Sequence, residues 1–320
     1  MNDRCRQLGL VLEELERRID AVPLVYCGSN QSNREFRPGD IRIFRNALDA
    51  LPTGTERLML ILHSAGGTVS VARAIAGELR RRAKYLVTTV PFRARSSALL
   101  LCLAADEIWA TDTTVFGPVD PLLKSKGAGD TADGPRISVE DIRCFREMAE
   151  EWFQLKSEES NFRVLSLLSQ HFSPIELTAA YRADKYVRKV CRELLGQHFP
   201  SATTSERDRI CESLIRGWGG HHEVIAMSDL AALGLKVRAI PEAIFPACNR
   251  IISDLQAEMD DPLADTCRAL VLHRRYIAKY TAPSIDSEAK GKPSDRKVNA
   301  RAQGAHWLES ELTTNARTAE

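Results

Sequence analysis

No cysteine of the chain sits in a Cys-x-x-Cys pair. The eight fall at positions 5, 27, 102, 144, 191, 211, 248 and 267, and no Cys/His grouping has zinc-site spacing. That excludes a structural zinc module and predicts free thiols in a reducing cytoplasm. Charge of one sign is lacking too: 44 Lys and Arg face 43 Asp and Glu, for a net charge of +1. Such a chain carries no electrostatic footprint for nucleic acid, and Arg80-Arg81-Arg82 reads as a solvated helix end. Long apolar runs are missing. The longest, Ala98 to Ala105, is far too short to cross a bilayer. The stretch after Met1 is broken by Glu13, Glu14 and Glu16, unlike a signal peptide. Absent as well are the Gly-x-Gly-x-x-Gly spacing of a dinucleotide site, the Lys-Ser/Thr of a P-loop, and the Gly-x-Ser-x-Gly elbow of α/β-hydrolases. No cofactor, no metal, no membrane span and no nucleic-acid partner are therefore expected.

What is present suffices for an ordinary core: 320 residues, 44% of them hydrophobic, in one large domain or two. Residues 3 to 21 read as an amphipathic helix that Pro23 ends, with Leu24 to Cys27 as a first strand and 28 to 38 as a polar loop. Asp40 is placed to cap a second helix reaching about Leu51. Leu58 to Leu62 is an uninterrupted apolar run, the mark of a strand buried on both faces. It leads through Ser64-Ala65-Gly66-Gly67 into a helix over Val69 to Arg82, a buried strand over Tyr85 to Val90, a small-residue helix over Ser97 to Ala105, and a strand over Glu107 to Ala110. Strand and helix alternating so quickly imply βαβ units and parallel pairing.

Lys124 to Arg136 is glycine-rich and polar, a mobile loop by composition. Ser138-Val139-Glu140-Asp141 resembles a capping box opening a long amphipathic helix with Ile142, Phe145, Ala149, Trp152 and Phe153 on one face. Ser173-Pro174-Ile175-Glu176 starts another, expected to stop at Gly196, and a further helix covers about Glu206 to Ile215. Residues 246 to 281 read as peripheral helices, and the polar stretch beyond Ala282 as a disordered tail.

Two segments carry chemistry. Gly66-Gly67, between a buried strand and a helix, lets the backbone approach a neighbour and leaves amides free to donate. Ser96 follows a strand and begins a helix of small residues, where a hydroxyl sits in the positive field of a helix N-terminus. Taken singly, Gly-Gly reads first as a turn, and Ser96 or Ser97 first as a helix N-cap.

In combination the order is more specific. Buried strand, Gly-Gly, helix, strand, Ala94-Arg95-Ser96-Ser97-Ala98, apolar helix, Asp106-Glu107-Ile108, and Gly117-Pro118-Val119-Asp120-Pro121 resembles the serine dehydrogenase proteinases. These are relatives of signal peptide peptidase A and of the Clp protease proteolytic subunit. The likeness is densest from Leu58 to Leu122, resumes at His221-His222-Glu223 and Leu230 to Val237, and is weaker at Asp40 to Leu51.

The resemblance implies an α/β fold, a Clp/crotonase-like spiral of ββα units with mostly parallel strands and peripheral helices. It divides the chain into an N-terminal helix (1–21), a peptidase domain (22–245), peripheral helices (246–282) and a tail (283–320). It implies a serine peptidase with Ser96 as nucleophile and the amides of Gly67 and Ser97 as oxyanion hole. Amides need no particular side chain, so Ala65 and Ser97 can stand where relatives often carry proline and glycine or methionine.

The base is left open. The Clp subunit has a histidine at the segment matched by Phe116-Gly117-Pro118, but this chain has none between His63 and His171. Lys124 or Lys126 would make a Ser/Lys dyad of the signal peptide peptidase A kind, provided the lysine is desolvated. His222 is the other candidate, with Glu223 or Asp120 to orient it. The expected substrate is a peptide or unfolded protein, handled by a homo-oligomer, with any unfolding left to a separate ATPase or regulator. The competing readings are a non-catalytic pseudoprotease or peptide-binding scaffold, and a crotonase-like acyl-CoA enzyme using the same paired amides without Ser96.

Overall fold

A computed structural model describes residues 3–29, 35–124, 136–218, 220, 222–259, 267–273, 276–281 and 306–311. Helix α1 (Asp3–Ile19) leads into β1 (Val22–Gly28), so Pro23 lies inside the first strand rather than ahead of it. Then follow α2 (Pro38–Asp49), β2 (Arg57–His63), α3 (Val69–Arg82), β3 (Tyr85–Val90), the two-residue β4 (Arg93–Ala94), α4 (Ser97–Cys102) and β5 (Glu107–Ala110). Asp40 is buried in the first turn of α2, where its carboxylate accepts the amide of Arg37 at 3.1 Å; the N-cap is Arg37, not Asp40.

Strands β1, β2, β3 and β5 run parallel and adjacent, joined by crossover helices as the sequence implied. The fold class expected from sequence holds: mixed α/β with a mostly parallel sheet. Its double burial is visible along β1 and β2. Leu24, Tyr26, Leu58, Leu60 and Leu62 enter the core that holds α2, α3 and α4. Val25, Cys27, Met59 and Ile61 point the other way, into a second core with Leu8, Leu12 and Leu15 of α1. Continuous apolar runs are the signature of strands covered on both faces.

Beyond β5 come β6 (Val115–Phe116), β7 (Leu122–Lys124) and β8 (Arg136–Ser138), then helices α5 (Val139–Glu151), α6 (Glu158–His171), α7 (Pro174–His198), α8 (Thr204–Arg216) and α9 (Met227–Ala232). β9 (Val237–Ala239) joins the main sheet parallel to β5. The Ser138 hydroxyl caps α5 by accepting the amide of Asp141, and Ser173 with Glu176 forms a full capping box on α7. α7 runs through Gly196 to His198 instead of stopping there. His198 explains the extension: fully buried, it bonds the Ala105 carbonyl through Nδ1 at 2.7 Å and accepts the Lys236 amide on Nε2 at 2.8 Å. That second bond requires the neutral ring, and burial pushes the imidazole down to about 4.

The C-terminal region differs most from expectation. Among the described residues of this region only α10 (Phe245–Met259) is helical; β10 (Cys267–His273) and β11 (Tyr276–Thr281) are strands, and β12 (His306–Glu311), from the stretch that reads as a tail, pairs with β11. Together they extend the sheet antiparallel from the β1 edge, giving the order β12-β11-β10-β1-β2-β3-β5-β9. A bare edge at β1 would expose unpaired amides and carbonyls, which β10 satisfies. The expected mobile loop lies almost wholly in 125–135, outside the described residues.

Candidate active site

Above the carboxyl ends of the main strands, the backbone folds into a second small layer. Arg93 to Arg95 pairs with Ser64 through Ser64 N to Arg93 O and Arg95 N to Ser64 O, both 3.1 Å. β4 and β6 pair beside it, and the Ser96 amide reaches the Gly117 carbonyl at 3.3 Å. Ser96 is thereby held between the Gly-Gly turn on one side and Gly117 on the other.

Its backbone is unusual. Ser96 has φ +51° and ψ −125°, a region L-residues rarely occupy, and its side chain makes no capping bond to α4. Ser96 thus occupies the N-cap position of α4, with its carbonyl accepting the Leu99 and Leu100 amides, but its hydroxyl does not cap the helix. A hydroxyl held in a strained turn and withheld from its own helix is the arrangement a nucleophile needs.

Gly66 and Gly67 have φ values of +99° and +139°. A Cβ on Gly66 would lie 2.6 Å from the Arg95 carbonyl oxygen and 3.0 Å from Ser96 Cβ; one on Gly67 would lie 2.1 Å from the Phe36 amide nitrogen. Phe36 runs alongside this turn, donating its amide to Gly66 O at 2.8 Å and receiving the Thr68 amide at 3.1 Å. Those two bonds occupy one edge of the turn and leave the Gly67 N–H on the other. The Ser97 N–H, at the first position of α4, has no carbonyl one turn earlier within the helix.

Ser96 and Gly67 open on one cleft of about 300 Å³, walled also by Glu35, Ala65, Thr68, Val69, Val119, Asp120, Pro121, Leu122 and Val187. Asp120 is 4% exposed; one carboxylate oxygen accepts the Glu140 amide at 3.3 Å, while Oδ2 is buried without a partner. Burial pushes its carboxyl up to about 6, against the opposing pull of the Ser138 hydroxyl and the Glu140 amide.

Of the other candidates for the base, only His222 has a described side chain. His222 is exposed, on a turn after α8, and does not line the cleft. Lys124 ends β7, two residues beyond the cleft wall at Leu122, and its side chain lies outside the described residues, as does the whole of Lys126. Three walls had no sequence signal: Glu35 comes from the segment read as loop, Thr68 from the residue after Gly-Gly, and Val187 from the middle of α7. A helix about seven turns long hides which of its residues faces a cleft formed by distant segments. Among the described residues no cluster of His, Cys, Asp and Glu has the makings of a metal site.

Fold and site together define an α/β protein with a serine in a strained turn beside two glycines. Residues 41–133 match the model of the ClpP-like SDH-type serine proteinases, so the resemblance read from the sequence holds across that segment. Two uncharacterized proteins of Methanocaldococcus jannaschii are similar to the chain. One is 37% identical over 95 residues, covering 26% of this chain and 33% of its own length. The other is 25% identical over 187 residues, covering 58% of this chain and 54% of its own. The chain thus spans a third to about half of these relatives. Among solved structures, the membrane-bound stomatin-specific protease 1510-N is similar at TM-score 0.41 and 12% identity, covering 73% of this chain and 85% of that one. ClpP1 from Listeria monocytogenes is similar at TM-score 0.39 and 12% identity, covering 72% and 99%.

Proposed function

We propose that the chain is a serine peptidase that cleaves short or unfolded polypeptides through an acyl-enzyme on Ser96. The observation that carries this reading is Ser96 itself, at φ +51°, uncapped, on the same cleft as Gly67. In the reaction Oγ attacks the scissile carbonyl carbon, and the resulting oxyanion accepts the N–H groups of Gly67 and Ser97. Two fixed amides aimed at that oxygen stabilise the tetrahedral state by about 3 kcal/mol each. The leaving amine takes the serine proton, and water then hydrolyses the ester. The test is covalent labelling with a fluorophosphonate probe. Wild type is expected to be labelled at Ser96 and Ser96→Ala to stay unlabelled; a wild type that never reacts ends the reading.

The working form in this reading is a homo-oligomer. Eight large apolar side chains between Trp152 and Tyr181 are exposed, Trp152 at 75% and Phe162 at 70%, and Val164 is the single buried residue of α6. A fourteen-residue helix so little packed is marginal alone, and covering its apolar side by a second copy supplies the missing burial. Sedimentation of the full chain is expected to show a species heavier than one chain, which Trp152→Glu with Phe162→Glu reduces to monomer. A single-chain mass at all concentrations would remove this part. No described helix is long and apolar enough to cross a membrane. Together with the free thiols at Cys27, Cys102, Cys191, Cys211 and Cys248, that supports a cytoplasmic setting. Unfolding of larger substrates would fall to a separate protein.

A further inference from the structure

We infer that Asp120 itself, with no histidine or lysine between it and the serine, is the group that takes the Ser96 proton. This rests on the peptidase reading and supplies its missing base. Asp120 and Ser96 wall the same cleft, and the connection between them is short: Ser96 N bonds Gly117 O, and Asp120 follows three residues after Gly117. That segment is pinned at both flanks of Asp120. The Val119 amide donates to the Leu214 carbonyl of α8 at 3.1 Å, and the Pro121 carbonyl accepts the Val139 amide at 3.0 Å. The carboxylate is fixed as well, because one oxygen accepts the Glu140 amide at the start of α5.

The other oxygen, Oδ2, is buried and unpartnered. No protein donor among the described residues commits that oxygen, so it is free to accept a proton. Both walls of the surroundings contribute to its basicity. Burial raises the carboxyl, and the negative charges of Glu140 and Asp141 on α5 raise it further, while the Ser138 hydroxyl and Glu140 amide oppose them. Glu35 is the other carboxylate on the cleft. A carboxylate raised to about 6 is mostly ionised at neutral pH yet far more basic than an exposed one, the compromise a general base requires.

The chemistry balances without a further reactant. As Oγ bonds to the carbonyl carbon, its proton passes to Asp120. Asp120 then gives that proton to the departing amine nitrogen as the C–N bond breaks. In the second half, water attacks the ester carbonyl, loses a proton to Asp120, and Ser96 recovers it as the acid leaves.

The experiment is the pH profile of kcat/KM on a quenched disordered peptide, from pH 4.5 to 9, with fluorophosphonate labelling in parallel, on the full chain. Wild type and His222→Gln are expected to share one rising limb centred near 6 and a plateau above it. Asp120→Asn keeps an oxygen for the Glu140 amide, so it should unfold no earlier than wild type, lose about 10²- to 10⁴-fold in kcat/KM, and show no limb. Asp120→Glu should recover part of the rate. If wild type is labelled and active but its limb lies above 8, or Asp120→Asn keeps the wild-type profile, Asp120 is not the base and the peptidase reading stands. Loss of the limb in His222→Gln would overturn Asp120 in the same way. If wild type is neither labelled nor active at any pH, both readings fall together. A limb near 6 that persists in His222→Gln decides the matter even if a variant at Asp120 folds poorly.

Discussion

Replacing Ser96 by glycine is expected to abolish hydrolysis and, in the same protein, to raise the unfolding temperature by a few degrees. The first half follows from chemistry: without Oγ no acyl-enzyme forms, and losses of about 10³- to 10⁶-fold accompany removal of such a nucleophile. The second half follows from the backbone. At φ +51° and ψ −125° a residue with a Cβ stores on the order of 1–3 kcal/mol, which glycine releases. Glycine also gives back roughly 0.5–1 kcal/mol to the unfolded chain, leaving a net gain near 1 kcal/mol. Ser96→Ala separates the two effects. It should be equally inactive but keep the strain, and so show no gain in thermal scanning. A glycine variant that loses several degrees would mean that the hydroxyl holds the turn together, and the nucleophile assignment would lose its main structural support.

This opposition of stability and activity could not have been seen in residue types. Serine after a strand and before a helix is ordinary, and the twist at Ser96 comes from contacts between distant segments, Ser64 with Arg93 to Arg95 and Gly117 with Ser96. What was legible is the part dictated by local pattern. The run Leu58 to Leu62, the helix Val69–Arg82 and the strand Tyr85–Val90 appear where periodicity puts them, because both faces of these strands are buried and Gly66-Gly67 punctuates them. α6 went unread since almost nothing of it packs inward, leaving no clean apolar stripe. β10 and β11 read as helix in the sequence because short apolar segments are ambiguous in period. The state of β10 is decided by pairing with β1 more than two hundred residues away, Val25 opposite Leu272 and Cys27 opposite Leu270, and β11 pairs in turn with β10. For the base, the sequence offers Asp120 only as one of two residues to orient His222; the cleft wall holds Asp120, while His222 sits on an exposed turn, a difference in burial that residue types do not carry.

Gly67→Ala is expected to damage the fold and the reaction at once, through one added carbon. That Cβ would meet the Phe36 amide nitrogen at 2.1 Å and the Glu35 Cβ at 2.8 Å, and the φ of +139° is itself costly for alanine. Neither neighbour can yield cheaply. Phe36 is fully buried, its ring tilted against that of Tyr26 with centroids 5.1 Å apart, and its amide and carbonyl are both committed to Gly66 and Thr68. Relief therefore requires breaking those two bonds or tilting the turn, at about 3 kcal/mol or more in denaturant unfolding. Tilting also swings the Gly67 N–H away from the oxyanion, so hydrolysis should fall by at least about 10²-fold even in the folded fraction. Gly66→Ala presses on the other partner, the Arg95 carbonyl at 2.6 Å, and should disturb Ser96 without loosening Phe36. An alanine at 67 with wild-type stability and wild-type turnover would show that the turn and Phe36 do not approach as described. In that case the Gly67 amide would lose its place in the oxyanion hole.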